Sequence, residues 1–176
     1  MSLTLIIGPM FSGKTTELIR RCKRFISVGM QVLICNAEKD NRNGMHKVST
    51  HDGEILDAKS IGEVSIDWVN KNADNYNVIA FDEGQFFPNL PKVVSQLKKA
   101  GKSVLVSGLS GDSNLEPWET ISKLIPLADD IVHTKAICVK CHADAAFSKK
   151  LVPNKKKIEV GAKNKYIAVC FKCYKI

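Results

Sequence analysis

The chain has 176 residues, 44% hydrophobic and 25% charged, which is the make-up of one globular domain with a core of its own. No apolar run is long enough to span a bilayer, and the apolar start LTLIIG is too short for a signal h-region, so membrane and secreted classes are set aside and a cytoplasmic location is expected. The net charge of +8 rests almost wholly on lysine, with arginine only at Arg20, Arg21, Arg24 and Arg42. Base reading leans on arginine, so a solvated lysine surface is expected rather than a nucleic-acid partner.

In chain order, residues 3–7 (LTLII) form a continuous apolar run, as in a strand buried on both faces. A glycine loop follows, then a helix over 15–29, where Leu18, Ile19, Cys22, Phe25 and Ile26 recur at helical spacing before Gly29. Residues 31–36 (QVLICN) read as a second buried strand. Strand, loop, helix, strand is a βαβ unit, so parallel pairing is expected. Residues 37–60 are polar and read as a long functional loop. A helix is expected over 61–72, a strand over 77–83, a helix over 90–101 with Pro91 in its first turn, and a strand over 102–108. A short helix within 117–129 and a fifth strand over 130–138 complete the α/β core. Beyond Cys138 the chain turns to short β-prone pieces between cysteine pairs, which predicts two domains, 1–137 and 138–176.

Residues 8–15 read GPMFSGKT, a match to G-x-x-x-x-G-K-[ST] with a strand before it and a helix after. Gly8, Pro9, Met10, Phe11, Ser12, Gly13, Lys14 and Thr15 are thus the candidate ATP loop. Gly8 and Gly13 permit close approach and left-handed backbone, so successive N–H groups can face phosphate oxygens. The helix start adds its positive dipole end. Lys14 suits the β- and γ-phosphates, and the Thr15 hydroxyl suits Mg²⁺. The strand VIAFDE ends in two carboxylates where open α/β sheets bind ligands. Asp82 is the expected second magnesium residue, and Glu83 is placed to accept a proton from an attacking hydroxyl.

CVKC (Cys138, Cys141) and CFKC (Cys170, Cys173) give C-x₂-C…C-x₂-C, a spacing that suits a tetrahedral Zn²⁺ site. Four thiolates fill the coordination sphere, so a structural zinc is expected. Cys22 and Cys35 fall on apolar faces and read as core. His142, beside Cys141, is not needed as a ligand.

The segments LIIGPMFSGKTTELIRR, KDNR…THDG, FDEGQFFP, ISKLIPLAD and KAICVKC…AFSKKL…KYIAVCFKCY together resemble the type II (cellular and poxvirus-like) thymidine kinases, over almost the whole chain. The resemblance implies a RecA-like P-loop core, a small zinc domain with a lasso loop, and transfer of the ATP γ-phosphate to the 5′-hydroxyl of thymidine. It implies Glu83 as base, helped by Lys14 and by Arg42 at the transfer end. Gln85 matches a residue near the 5′-hydroxyl, and Met10, Phe86 and Leu109 match positions around the base. Lys157, Ile158, Glu159, Val160 and Gly161 match the lasso segment whose main chain holds thymine, and Tyr166 matches a tyrosine near the sugar. A homotetramer and inhibition by dTTP are further implications of the resemblance.

One stretch departs from the pattern. Where relatives of the animal enzyme carry LDGTFQRKPF, this chain has LSGDSNLEPW, and Ser113 takes the place of an aromatic. Losing that ring forfeits about 0.5–1.5 kcal/mol of aromatic packing unless Leu115 or Trp118 takes over. Deoxyuridine should be accepted as well, since a missing methyl costs only about 1–3 kcal/mol. Two rival readings remain at this point: a kinase of another deoxynucleoside, and a P-loop ATPase acting on nucleic acid. The second lacks the aromatic and basic interleaving of single-strand binders.

Overall fold

The computed structural model describes residues 1–38, 47–49, 55–151 and 165–175. In chain order the elements are β1 (Ser2–Gly8), α1 (Lys14–Ile26), β2 (Val32–Ala37), β3 (Lys47–Ser49), β4 (Ile55–Asp57), β5 (Lys59–Ile61), α2 (Ile66–Asn72), β6 (Val78–Asp82), α3 (Leu90–Lys99), β7 (Ser103–Leu109), α4 (Glu119–Leu124), β8 (Asp130–His133), β9 (Ala136–Ile137), β10 (Asp144–Ala145), β11 (Phe147–Lys150), β12 (Tyr166–Val169) and α5 (Phe171–Tyr174). Short 3₁₀ turns lie at Gly84–Phe86 and Ile125–Leu127.

Six strands form one parallel sheet in the order β5-β2-β6-β7-β1-β8. Alternating side chains divide its two faces. Leu3, Leu5, Ile79, Phe81, Val104 and Val106 face one way and are sealed by Leu90, Val93, Val94 and Leu97 of α3 and by α4. Ile6, Ile34, Ala80 and Leu105 face the other way, against Leu18, Ile19 and Cys22 of α1. Cys22 and Cys35 are fully buried core residues, and burial pushes the Cys22 thiol up to about 12. Among the described residues no helix is long and apolar enough to cross a membrane.

The strands expected at 3–7, 31–36, 77–83 and 102–108 are present as β1, β2, β6 and β7. The helices close where their glycines turn left-handed, at Gly29 (φ 81°) and Gly101 (φ 77°). Three expectations need correction. The interval 37–60 is not all loop: β3 and β4 pair antiparallel, and β5 joins the main sheet beside β2. The helix expected from 61 begins at Ile66, because residues 59–61 extend along β2 and Ser65 caps the helix by accepting the Trp68 N–H at 3.2 Å. The strand expected over 130–138 stops at His133, and the chain resumes as β9, paired with β10 in a separate sheet.

The Ser65 cap gives a modest test of this assignment. Ser65→Ala should cost about 1 kcal/mol. That corresponds to a melting temperature lower by roughly 2–4 °C, read by thermal or urea unfolding. An unchanged midpoint would mean that the cap contributes nothing to α2.

Candidate functional site

The C-terminal ends of β1, β6, β7 and β8 converge, as the parallel topology requires, and the glycine loop leaves from the end of β1. Two of its residues are left-handed, Gly13 at φ 77° and Phe11 at φ 64°. For Phe11 this backbone costs of order 1–3 kcal/mol and needs support from its surroundings. The support is visible. The Phe11 side chain packs against the small core of the cysteine-bearing layer, and the Met10 N–H donates to Ser148 Oγ on β11 at 2.9 Å. Lys14 is buried, and its Nζ donates to the Pro9 carbonyl at 2.6 Å. The Ser12 hydroxyl donates to the same carbonyl at 2.8 Å.

Asp82 closes β6 and is buried beside this loop. Its carboxylate accepts the Thr15 hydroxyl at 3.1 Å and a very short bond from the Ser107 hydroxyl of β7. Burial, with the neighbouring Glu83 charge, pushes the Asp82 carboxyl up, while the two hydroxyls and the Lys14 ammonium work the other way. A buried carboxylate facing a threonine hydroxyl fits a hard cation with oxygen ligands. Glu83 follows in left-handed backbone, φ 53° and ψ 45°. That bend turns the chain off the strand. Gly84 then passes so close to Val106 and the Ser107 carbonyl that no Cβ fits. Gln85, also buried, is held at both ends: its Oε1 accepts the Leu109 N–H at 3.1 Å and its Nε2 donates to Glu83 Oε2 at 2.6 Å.

The sulfurs of Cys138, Cys141, Cys170 and Cys173 all lie within 4.8 Å of one another, with Cys141 and Cys170 at 3.6 Å. The pairs come from the β9–β10 turn and from the start of α5, which β11 and β12 bring together. Burial disfavours the Cys138 thiolate, but surrounding backbone N–H groups outweigh it and hold that thiol below its usual range. The Cys173 N–H does the same for Cys170. Burial and the neighbouring thiols push the Cys173 thiol the other way, up to about 12, so it is the convergence of four sulfurs that suits a zinc ion. His142 is not among them.

Phe86 meets Trp118 edge-on with ring centroids 6.1 Å apart. The turn that carries Ser113 is built by Asp112, whose Oδ1 accepts the N–H groups of Asn114 and Glu116 at 2.8 and 2.9 Å. Tyr174 of α5 donates its hydroxyl to the Ser113 carbonyl at 2.7 Å, which ties that turn to the cysteine layer. Leu115, left-handed at φ 67°, lines a cavity of about 290 Å³ together with Pro9, Asp112, His133, Phe147 and Ser148. Tyr166 is buried on β12, with Lys150 Nζ 5.7 Å from its ring centre. Arg42 and the stretch Lys157, Ile158, Glu159, Val160 and Gly161 lie outside the described residues.

The sequence reading missed Ser107, Thr134, Ser148 and Tyr174. Ser107 carries a faint signal, a polar residue inside the apolar run VLVSG. The others carry none, since their contacts bridge sequence separations of 61 to 138 residues.

Comparison with known proteins gives a consistent result. A family model described as thymidine kinase matches residues 1–174. The chain is 40% identical to the thymidine kinase of fowlpox virus (strain NVSL), over 98% of this chain and 96% of the relative. It is 43% identical to the thymidine kinase of myxoma virus (strain Uriarra), over 97% and 94% of the two chains. It is 36% identical to the cytosolic thymidine kinase of Gallus gallus, over 98% and 76%.

Proposed function

The chain belongs to the thymidine kinase family and is an enzyme that phosphorylates thymidine with ATP; from that premise we propose how its residues divide the work. The loop of Gly8, Pro9, Met10, Phe11, Ser12, Gly13, Lys14 and Thr15 cradles the ATP phosphates, with Lys14 leaving the Pro9 carbonyl to engage them. Thr15 and Asp82 hold Mg²⁺, which neutralises phosphate charge when bound. Glu83 is the base, Gln85 orients it, and Arg42 acts at the transfer end. Thymidine is bound by Met10, Phe86, Leu109, Ser113 and Tyr166, and by the main chain of 157–161 as the family resemblance implies.

In the reaction Glu83 takes the proton of the sugar 5′-hydroxyl as that oxygen bonds to the γ-phosphorus. The bond from that phosphorus to the β-phosphate oxygen breaks, leaving ADP and dTMP. Lys14 stabilises the charge spread over the transferring group. The observation that carries this reading is the convergence of buried Lys14, the Thr15–Asp82 pair and the Gln85-held Glu83 at the C-terminal ends of β1 and β6.

The four cysteines hold a structural zinc, and the chain divides near residue 137, with the small core of Ala136, Cys138, Ala145, Ala168, Val169 and Cys173 supporting a separate second unit. Family resemblance extends the proposal to a cytoplasmic homotetramer, to deoxyuridine as a second substrate and to dTTP as an inhibitor. The test follows ADP and nucleoside monophosphate together, with Mg·ATP and thymidine, deoxyuridine, deoxycytidine or no acceptor. Thymidine should give dTMP one-to-one with ADP. ADP release that ignores every nucleoside would overturn the assignment.

A further inference from the structure

Thr134 stands just past β8, outside every motif of the chain, yet it meets the end of β1 at one point and the phosphate loop at two. Its N–H donates to the Ile7 carbonyl at 2.8 Å, which continues the β1–β8 pairing. Its hydroxyl and carbonyl lie over Gly8, closer than any side-chain carbon at that position could tolerate. Its Oγ1 is 2.7 Å from Ser12 Oγ.

The two hydroxyls can each donate to the other. Ser12 can also donate to the Pro9 carbonyl at 2.8 Å, and Thr134 to the Ile7 carbonyl at 3.2 Å, whose second lone pair takes the Thr134 N–H. In either direction the hydroxyls join Thr134, Ser12 and Pro9 into one relay of contacts. Pro9 also accepts from Lys14 Nζ at 2.6 Å. When Lys14 turns to a phosphate, the Pro9 carbonyl gives up that donor, and the Ser12 hydroxyl becomes its brace.

We propose that Thr134 is a positioning residue for ATP. Through Ser12 it holds the Pro9 carbonyl, and with it the left-handed turn at Phe11 and Gly13, in the shape that phosphate binding needs. The inference rests on the loop being the ATP site. It predicts an effect on nucleotide affinity ahead of fold stability, because the Thr134 N–H keeps β8 in register whatever its side chain.

The experiment compares Thr134→Val, Thr134→Ser and Ser12→Ala by titration of the full chain with a fluorescent N-methylanthraniloyl ADP, which requires no turnover. KM for ATP, KM for thymidine and kcat are measured beside it. Thr134→Val should weaken nucleotide binding roughly 3- to 10-fold, the worth of one neutral hydrogen bond. Thr134→Ser should stay within about 2-fold of the parent, since it keeps the donor. The Val and Ala changes should be non-additive when combined, since both cut one relay. KM for thymidine and the melting temperature should stay near parental values. Nucleotide affinity of Thr134→Val within 2-fold of the parent would overturn the proposal, as would equal loss in the Val and Ser variants. Failure of the ATP-site reading looks different: the parent itself would not bind the fluorescent nucleotide.

Discussion

Glu83→Gln should lower kcat by roughly 10²–10⁴-fold, the usual contribution of a positioned general base, with nucleotide affinity nearly unchanged. Gln is close in size to Glu and offers an oxygen where Gln85 Nε2 now donates at 2.6 Å, so the contact can persist. The left-handed backbone at φ 53° is asked of either residue alike. What Gln cannot do is accept the 5′-hydroxyl proton. Single-turnover measurement separates this from a binding defect, because KM values should move little while the chemical step slows. A loss under about 5-fold would place the base elsewhere. Asp82 is the alternative carboxylate to test in that event, but its oxygens already accept the Ser107 and Thr15 hydroxyls.

The cysteine cluster carries the second large expectation. The purified chain should contain one zinc ion per molecule by atomic absorption, and Cys141→Ser should lose most of it. Structural zinc in small peptides is worth roughly 10–16 kcal/mol, and a larger scaffold that keeps part of its structure without metal feels less. A loss of about 3–5 kcal/mol translates to a melting temperature lower by roughly 6–20 °C. Activity should fall with it, because Phe11 packs into the core around these cysteines and Tyr174, next to Cys173, holds the Ser113 turn. A parent that binds no zinc, or that melts at the same temperature with and without it, would sink the structural-zinc reading.

The parts of the site are not equally legible in the sequence. The glycine loop, the Asp82–Glu83 pair and the four cysteines each obey a spacing set by local geometry, so residue types and intervals point to them. Buried parallel strands likewise announce themselves as apolar runs, as β1, β2, β6 and β7 do. Strand β5 does not, because it is three residues long at the sheet edge and only Ile61 is buried. The helix start was misplaced by several residues because Gly62 and Val64 fit either reading until Ser65 is seen to cap Trp68. Thr134 and Ser148 are invisible, and Ser107 only faintly marked, for a different reason. Their roles arise from which strand ends lie side by side, and strand order is a property of the whole chain rather than of any window in it.

That strand order also sets a timetable. Strand β1 is made well before its sheet neighbours, which among the described residues are β7 and β8, at 103–109 and 130–133. Strands β2, β5 and β6 can pair among themselves while β1 and the loop behind it wait without partners. Contacts between residues this far apart in sequence form slowly, since a long chain must be closed before they return any stability. The phosphate loop is therefore made well before its partners: a nascent chain that stops short of Thr134 and Ser148 carries the full nucleotide motif without the contacts those residues give it.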